Sequence, residues 1–280
     1  MNRLSKLLAM ATTLTVLIGV VGYAKAQGNV QQELAATSMI EQVKKAGELR
    51  VGITTFVPWS MRAVNGDLIG FEVDVAKKVA EDLGVKPEFV PTAWDGIIPA
   101  LLAGKFDLII SGMSITPERN LTVNFTIPYA HSGQAIVANK KLAAGFKTLE
   151  DFDKPDVTIA CHRGIAGCAF IQRTMPKATL RLFDDDAQAL QEVLNGRAHA
   201  WIASSPRPLF AAQDHADELF MPFDGPVMHS DEAFAVRKSD PDSLNWLNNW
   251  ITYRTSDGWI KERHDYWFTT QAWRDQVKQQ

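Results

Sequence analysis

Two consecutive stretches of the sequence alternate short apolar strands with amphipathic helices, and this alternation limits the fold more than any other feature. In the first stretch, strands are predicted at 49–53, 86–90 and 107–111, with helices at 71–83 and 97–103. In the second, strands are predicted at 157–161, 180–183 and 198–202, with helices at 169–174 and 187–194. Strand-helix-strand order is typical of parallel sheets with right-handed crossovers. The sequence therefore predicts an α/β fold made of two lobes of similar plan.

The connections between the two stretches indicate that the lobes are interleaved. Residues 134–139 and 232–237 are strand-like and lack turn residues, as expected of segments that cross from one lobe to the other. Two crossings of this kind form a natural hinge beside a cleft. The predicted lobes are residues 39–134 with 233–280 for lobe 1, and residues 135–232 for lobe 2.

The first 26 residues have the pattern of a secretory signal peptide. A short basic region precedes an apolar run that ends in Ala24-Lys25-Ala26, which matches an A-x-A cleavage site. The apolar run is shorter than the roughly 20 residues that a membrane-spanning helix needs, which disfavours an uncleaved anchor. We expect export to the periplasm, with residues 27–38 as a flexible lead-in to the fold.

The charge and composition of the mature chain exclude several kinds of partner. Cleavage removes Arg3, Lys6 and Lys25 and no acidic residue, so the 29 basic residues become 26 against 32 acidic ones, a net charge of −6. Without a long basic run, the chain lacks the electrostatic pattern of a nucleic-acid-binding protein. Its six His residues show no metal-ligand spacing, so neither a metal nor a cofactor is predicted. We expect a monomer.

Four motifs occur in an order and spacing that resemble a known family. They are FVPW at 56–59, GDLIGFEVDVAKKVAEDLG at 66–84, WDGIIPALLAGKFDLIISGMSITPER at 94–119 and TIPYAHSGQ at 126–134. Together they resemble the periplasmic solute-binding proteins of polar amino-acid ABC importers, the bacterial extracellular solute-binding proteins of family 3. The resemblance implies a type II periplasmic-binding-protein fold with two hinge strands. It also implies a cleft that closes over one small solute and delivers it to a membrane permease.

The segment from Ser111 to Arg119 combines the end of a strand with the start of a helix. Backbone N–H groups, hydroxyls and a guanidinium therefore lie at the C-terminal end of a predicted parallel strand, where open α/β sheets bind ligands. The resemblance matches Arg119 to the Arg that holds the carboxylate of the solute. It matches Ser111, Gly112 and Ser114 to positions that offer backbone or hydroxyl contacts. A surface Arg119 paired with Glu118 is the alternative.

Two aromatic residues are candidates for the walls of the site. The resemblance matches Phe56 and Trp94 to the residues that line the solute in the first lobe. An aromatic face can cover an aliphatic stem or a cation. Considered alone, either residue would more often belong to the core. Trp59 is predicted to be a wall or a supporting residue.

The loop from Cys161 to Cys168 joins a strand to a helix in the second lobe. The resemblance matches it to a loop whose helix N-terminus is an anion site, with Ala166 in place of a hydroxyl residue. His162 matches a position that contacts the side chain of the solute, and a core or surface His is the alternative. In an oxidising compartment the two Cys residues are predicted to form a disulfide. A catalytic pair of Cys161 and His162 is disfavoured because adjacent side chains of a strand point to opposite faces.

Ser204 is the main departure from the family pattern. Relatives that bind amino acids usually have Asp at this position, where it pairs with the α-ammonium of the solute. Leaving a buried ammonium without its partner costs about 3 to 5 kcal/mol. Either another acid receives the ammonium, with the Asp run at 184–186 as the nearest supply, or the solute is not an ordinary α-amino acid. The same run is also a good N-cap for the helix that follows.

The sequence favours a binding protein over an enzyme. Cyclohexadienyl dehydratases share the architecture and carry a Glu just after the position of Ser204, whereas this chain has Ser205, so no catalytic residue is predicted. A ligand sensor without a transport role is a third interpretation. We predict the periplasmic substrate-binding component of an ABC importer, which closes over a small carboxylate-bearing solute such as an amino acid or a derivative.

Overall fold

The computed structural model describes residues 38–277. The predicted signal peptide at 1–26, residues 27–37 of the predicted lead-in and the last three residues of predicted lobe 1 lie outside the described residues. Between residues 38 and 277, no helix combines the length and the apolar character needed to cross a bilayer.

A five-stranded sheet forms the centre of the first lobe. Its strands, in spatial order, are β4 (Lys86–Pro91), β1 (Glu48–Ile53), β5 (Leu108–Ile109), β13 (Ala235–Val236) and β6 (Asn124–Phe125). β1 runs parallel to β4 and β5, while β13 runs antiparallel to β5 and β6. Leu108 and Ile109 pack into two different buried clusters, because successive residues of a strand point to opposite faces. Apolar side chains therefore cover both faces of this sheet.

Helices pack against this sheet and complete the first lobe. They are α1 (Met39–Ala46), α2 (Phe71–Leu83), α3 (Ile97–Leu102), α4 (Pro117–Asn120), α9 (Pro241–Ser256) and α10 (Trp259–His264), with a small hairpin of β2 (Met61–Arg62) and β3 (Leu68–Ile69). α2 ends at Gly84, whose φ of 72° is left-handed and suits glycine. The indole N–H groups of Trp250 and Trp267 donate hydrogen bonds to Asp82 and Asp74, which fastens the C-terminal segment to α2.

A six-stranded sheet forms the centre of the second lobe. Its strands, in spatial order, are β11 (Leu219–Phe220), β7 (Ala130–Asn139), β10 (Ala200–Ser204), β8 (Thr158–His162) and β9 (Thr179–Phe183), and β12 (Met228–Glu232) pairs with the first half of β7. Its helices are α5 (Leu149–Phe152), α6 (Ala166–Thr174), α7 (Asp186–Leu194) and α8 (Arg207–Asp214). β8 runs parallel to β9 and β10. The predicted α/β fold with two similar sheets is confirmed.

The chain passes between the two sheets twice. It leaves the first sheet after β6 and enters the second at β7, then returns from β12 to β13. β13 lies between β5 and β6, so the second lobe is inserted into the first. The change of sheet takes place at residues 126–129 and 233–234. The predicted boundary after Gln134 falls inside β7, because residues 130–134 pair with β12.

Candidate functional site: a pocket between the lobes

A pocket lies between the two lobes, where strands of both sheets end. About 420 Å³ of space lies between its walls, and part of that space is open to solvent. Thr54 follows β1, His162 ends β8 and Ser204 ends β10, so the pocket lies at C-terminal ends of parallel strands, the usual ligand site of open α/β sheets. The lining residues are Thr54, Phe56, Trp94, Gly112, Ser114, Arg119, Gln134, His162, Ile165, Ala166, Asp186 and Ser204.

Arg119 presents a guanidinium to the pocket from α4. Thr116 caps this helix, and its hydroxyl accepts a hydrogen bond from the Arg119 backbone N–H at 3.2 Å. The guanidinium donates to the Ser114 carbonyl at 2.8 Å and to the Gly164 carbonyl at 2.9 Å. It also lies over the Trp94 ring, 5.4 Å from the centroid. Neutral carbonyls and an aromatic face therefore hold the position of this charge.

The electrostatic surroundings of Arg119 make it a candidate anion site. Burial lowers the pKa of its guanidinium to about 10, and the charge of Glu118 offsets only part of that decrease. In the described part of the chain, Arg119 forms no ion pair with a carboxylate. Arg119 is partly buried, and a partly buried cation without a counter-ion gains free energy when an anion binds beside it.

Phe56 and Trp94 form an aromatic corner of the pocket. Their ring centroids lie 6.5 Å apart at an interplanar angle of 68°. Trp59 stacks on Phe56 with centroids 5.8 Å apart and is only 1% exposed, so it supports the wall from behind. Gly112 lies against this wall with a left-handed φ of 56°, and a Cβ there would be 2.8 Å from the Phe56 ring. Glycine is therefore required at this position.

A disulfide closes the turn between β8 and α6 on the second-lobe side of the pocket. Cys161 and Cys168 are bonded, with their Cα atoms 5.8 Å apart. The loop between them brings His162, Ile165 and Ala166 to the pocket lining. Because α6 begins at Ala166, the backbone N–H groups of its first turn adjoin the pocket.

The three Asp residues before and at the start of α7 have three different environments. Asp185 is the N-cap, and its carboxylate accepts a hydrogen bond from the Gln188 backbone N–H at 2.8 Å. The side chain of Asp184 is exposed and pairs with Arg163 at 3.6 Å. Asp186 belongs to the pocket lining. Of the two interpretations of this run, helix capping applies to Asp185 and a position at the pocket applies to Asp186.

Two pairs of polar side chains lie on the second-lobe side of the pocket or next to it. Arg207 Nη1 donates to Asp186 Oδ2 at 3.2 Å, while His162 Nδ1 lies 3.7 Å from Asp186 Oδ1. The Gln134 amide donates to Ser204 Oγ at 3.0 Å. The pocket therefore has a guanidinium on its first-lobe side and a carboxylate on its second-lobe side.

Comparison with known proteins identifies the family. The profile of the bacterial extracellular solute-binding proteins, family 3, matches residues 49–270, well over half of the chain. The chain belongs to this family. The resemblance inferred from the motifs is confirmed.

Relatives of this family-3 protein include an enzyme as well as binding proteins. Cyclohexadienyl dehydratase of Pseudomonas aeruginosa is 27% identical over 234 residues, which span 83% of this chain and 87% of the relative. The crystal structure of AncCDT-1, an ancestral amino acid-binding protein and precursor of cyclohexadienyl dehydratase, is 43% identical with a TM-score of 0.75, and covers 82% of this chain and 99% of that one. A protein assigned as the binding component of an ABC transporter from Wolinella succinogenes, solved with lysine, is 41% identical with a TM-score of 0.77, at 82% and 99% coverage.

The pocket of this family-3 protein contains every residue predicted to contact a solute except Ser111. Those residues are Phe56, Trp94, Gly112, Ser114, Arg119, His162, Ala166 and Ser204. Ser111 is fully buried, and its hydroxyl accepts a hydrogen bond from the Thr54 backbone N–H at 2.9 Å, so it supports the pocket wall and does not line it. The sequence reasoning missed Thr54, Gln134 and Ile165, and it did not single out Asp186 from its neighbours.

Two buried carboxyl groups lie beside the crossings between the lobes. Glu72 of α2 is fully buried and accepts a hydrogen bond from the Tyr129 hydroxyl at 2.7 Å. Desolvation raises the pKa of Glu72 to about 8, and the charge of Glu232 adds to the increase. Glu232 ends β12 and accepts a hydrogen bond from the Ser230 hydroxyl at 2.6 Å, and burial raises its pKa to about 8 as well. Both groups therefore retain protons near neutral pH.

Proposed function

We propose that this family-3 protein is the periplasmic substrate-binding component of an ABC importer and that it closes over a small carboxylate-bearing solute, an amino acid or a derivative. The predicted signal peptide would bring it to the periplasm, where a membrane permease would receive the solute. Two relatives support the choice of solute class. AncCDT-1 is an amino acid-binding protein, and the Wolinella succinogenes protein was solved with lysine.

The unpaired guanidinium of Arg119 is the observation that carries this proposal. A charge removed from water loses hydration that neutral carbonyl partners restore only in part. The lowered pKa of Arg119 has burial as its main cause, and no carboxylate bonded to it among the described residues counteracts that burial. The planar fork of an Arg matches a carboxylate through two parallel charge-assisted hydrogen bonds. A solute carboxylate would therefore supply the missing counter-charge.

Contacts across the pocket support closure of the lobes around the solute. Arg119 of the first lobe donates to the Gly164 carbonyl of the second, and Trp59 Nε1 donates to the Ser205 carbonyl at 3.2 Å. We place the hinge at residues 126–129 and 233–234, the short segments that connect the two sheets. A solute that touches both lobes makes its full set of contacts only when they are closed. Binding would therefore favour the closed arrangement.

A thermal-shift screen with matched Arg variants tests the proposal. We expect at least one amino acid to raise the Tm in a screen that also contains N-methylated amino acids and simple carboxylates. Arg119→Ala should lower the affinity for the best ligand by at least about a hundredfold in titration calorimetry, because leaving one partner of a buried ion pair unpaired costs about 3 to 5 kcal/mol. Arg163→Ala is the control, since Arg163 lies in the disulfide loop but not in the pocket lining. The proposed function is wrong if no carboxylate raises the Tm, or if Arg119→Ala binds as tightly as the wild type.

A dehydratase activity is the second candidate, because a cyclohexadienyl dehydratase is among the relatives. That reaction needs a general acid in the cleft. Ser205 occupies the position at which the family resemblance expects the Glu of the enzyme. The pocket carboxylate, Asp186, already forms an ion pair with Arg207 at 3.2 Å.

We therefore propose binding without catalysis and expect prephenate to be consumed no faster with the protein than without it. Turnover that disappears in Asp186→Asn would instead establish the enzymatic function.

A further inference from the structure

Two hydrogen-bond acceptors of the pocket-lining residues lack a donor. Gln134 Oε1 and Asp186 Oδ1 are both buried and unpaired, and both residues line the pocket. Gln134 is only 2% exposed. A buried acceptor left unpaired costs about 1 to 3 kcal/mol, and a charged one costs more. A solute that supplies a donor to either atom would remove part of that cost.

The neighbours of these two residues fix the positions of the free atoms. Gln134 Nε2 donates to Ser204 Oγ at 3.0 Å, which leaves Oε1 as the free end of the amide. Arg207 Nη1 donates to Asp186 Oδ2 at 3.2 Å, and the Arg207 guanidinium lies over the Trp201 ring, 5.5 Å from its centroid. The ion pair therefore holds one oxygen of Asp186 and leaves the other, which is buried, without a donor.

His162 lies near the unpaired oxygen of Asp186 but does not hydrogen-bond to it. The separation of 3.7 Å between Asp186 Oδ1 and His162 Nδ1 exceeds hydrogen-bonding distance. No other donor from residues 38–277 reaches this oxygen either. Asp186 thus retains an anionic acceptor at the pocket, on the lobe opposite Arg119.

We propose that Asp186, together with Gln134, receives the ammonium group of the solute. This inference rests on the proposed function, because it assumes a solute whose carboxylate is bound by Arg119. With Ser at position 204, the counter-charge would come from the first turn of α7. The carboxylate and the ammonium of the solute would then bind to opposite lobes, and a solute with both groups would hold the lobes together.

The chemistry of the two acceptors favours an ammonium over other polar groups. An ammonium has three N–H donors and a positive charge, so it can donate to a carboxylate oxygen such as Asp186 Oδ1 and to a neutral acceptor such as Gln134 Oε1. A hydroxyl has one donor and no charge, so it forms a weaker hydrogen bond with a carboxylate. The proposed subsite therefore favours a zwitterion over a simple carboxylate.

Titration calorimetry with L-lysine and three truncated probes tests this subsite. L-norleucine keeps the α-ammonium, 6-aminohexanoate keeps the terminal ammonium and hexanoate keeps neither, while all three retain the carboxylate. Asp186→Asn should lower the affinity for L-lysine by about tenfold to a hundredfold, because a hydrogen bond to a charged group contributes about 1.5 to 3 kcal/mol. It should also lower the affinity for one of the two single-ammonium probes and leave the affinity for hexanoate unchanged.

Matched variants separate loss of the charge from damage to the fold. Asp184→Asn should bind L-lysine as the wild type does, because the side chain of Asp184 is exposed and is not part of the pocket lining. Asp186→Glu keeps the charge and should bind L-lysine more tightly than Asp186→Asn. Gln134→Met removes the neutral acceptor together with the hydrogen bond from Gln134 Nε2 to Ser204 Oγ, and it should lower the affinity for L-lysine severalfold. It also provides the test if circular dichroism shows that Asp186→Asn does not fold.

The outcomes distinguish this subsite from the proposed function. Unchanged L-lysine affinity in Asp186→Asn overturns the subsite, and the proposed function still stands if Arg119→Ala abolishes binding. A wild-type protein that binds hexanoate as tightly as L-lysine also overturns it. If L-lysine does not bind, the tightest amino acid of the screen and its deaminated analogue replace the probes. If no amino acid binds the wild type, both the subsite and the amino-acid function are wrong.

Discussion

Replacing Glu72 by Gln should flatten the dependence of stability on pH. Burial raises the pKa of Glu72 from its ordinary value of 4.5 to about 8 in the folded protein. Between these values the folded state holds a proton that the unfolded state has released. The stabilising contribution of that proton is therefore complete below pH 4.5 and is lost as the pH rises through 8. Gln is uncharged throughout and should show no such loss.

The size of the effect follows from the raised pKa. Each pH unit within the window lowers the free energy of unfolding by about 1.4 kcal/mol. From pH 5 to pH 7 the loss due to Glu72 is about 3 kcal/mol, which corresponds to roughly 6 to 12 °C in Tm for a chain of this size. This value is an upper bound, because part of the raised pKa comes from the charge of Glu232, which is itself protonated over most of this pH range.

Calorimetric unfolding at pH 5, 6, 7 and 8 measures the effect as the difference between wild type and Glu72→Gln. The difference is the correct quantity because His199 and His264, whose pKa values burial lowers, give stability the opposite slope at acidic pH. Glu81→Gln is the control, since Glu81 is an exposed carboxylate on the same helix. Parallel Tm curves for wild type and Glu72→Gln across this range would refute the reasoning.

Three further predictions concern the pocket. Gly112→Ala should lower the Tm and weaken ligand binding in a thermal-shift assay, because its φ is left-handed and the new Cβ would lie 2.8 Å from the Phe56 ring; an unchanged Tm would contradict this. Replacing Cys161 and Cys168 by Ser should cost about 2 to 3 kcal/mol in denaturant unfolding and reduce affinity in calorimetry, since the freed loop carries pocket residues. Arg119→Lys should bind the best ligand more weakly than wild type but more tightly than Arg119→Ala, because Lys keeps the charge without the fork; equal affinities of the Lys and Ala variants would count against a carboxylate contact.

Local signals explain which features the sequence predicts well. Gly84 ends α2, because a left-handed residue after an amphipathic helix is a strong stop signal. Thr116, a residue type that favours N-caps, caps the helix that carries Arg119. Phe56 and Trp94 belong to motifs near the ends of strands, so their placement at the pocket follows once the sheet is known.

The role of a residue is harder to predict from the sequence where strand register or the exact start of a helix determines its position. Gln134 lies within β7 and lines the pocket because it pairs with Ser204 of β10, a register that no local pattern indicates. Asp185 and Asp186 have equal capping potential in the sequence, and only the exact start of α7 decides which one caps it. Ser111 is a predicted contact residue that does not line the pocket. Its hydroxyl accepts a hydrogen bond from the Thr54 backbone N–H and so supports the pocket wall.

The insertion of the second lobe has a consequence for the order of folding. Because β13 lies between β5 and β6, the first sheet is incomplete until residue 236 has been synthesised, whereas residues 130–232 contain every strand of the second sheet. Closing the loop of about a hundred residues between β6 and β13 carries an entropic cost. A folded second lobe removes much of that cost, since β7 and β12 bring Ala130 and Glu232 side by side. The second lobe can therefore fold before the first, although its synthesis begins later. Its folding would then bring the two separate parts of the first lobe together.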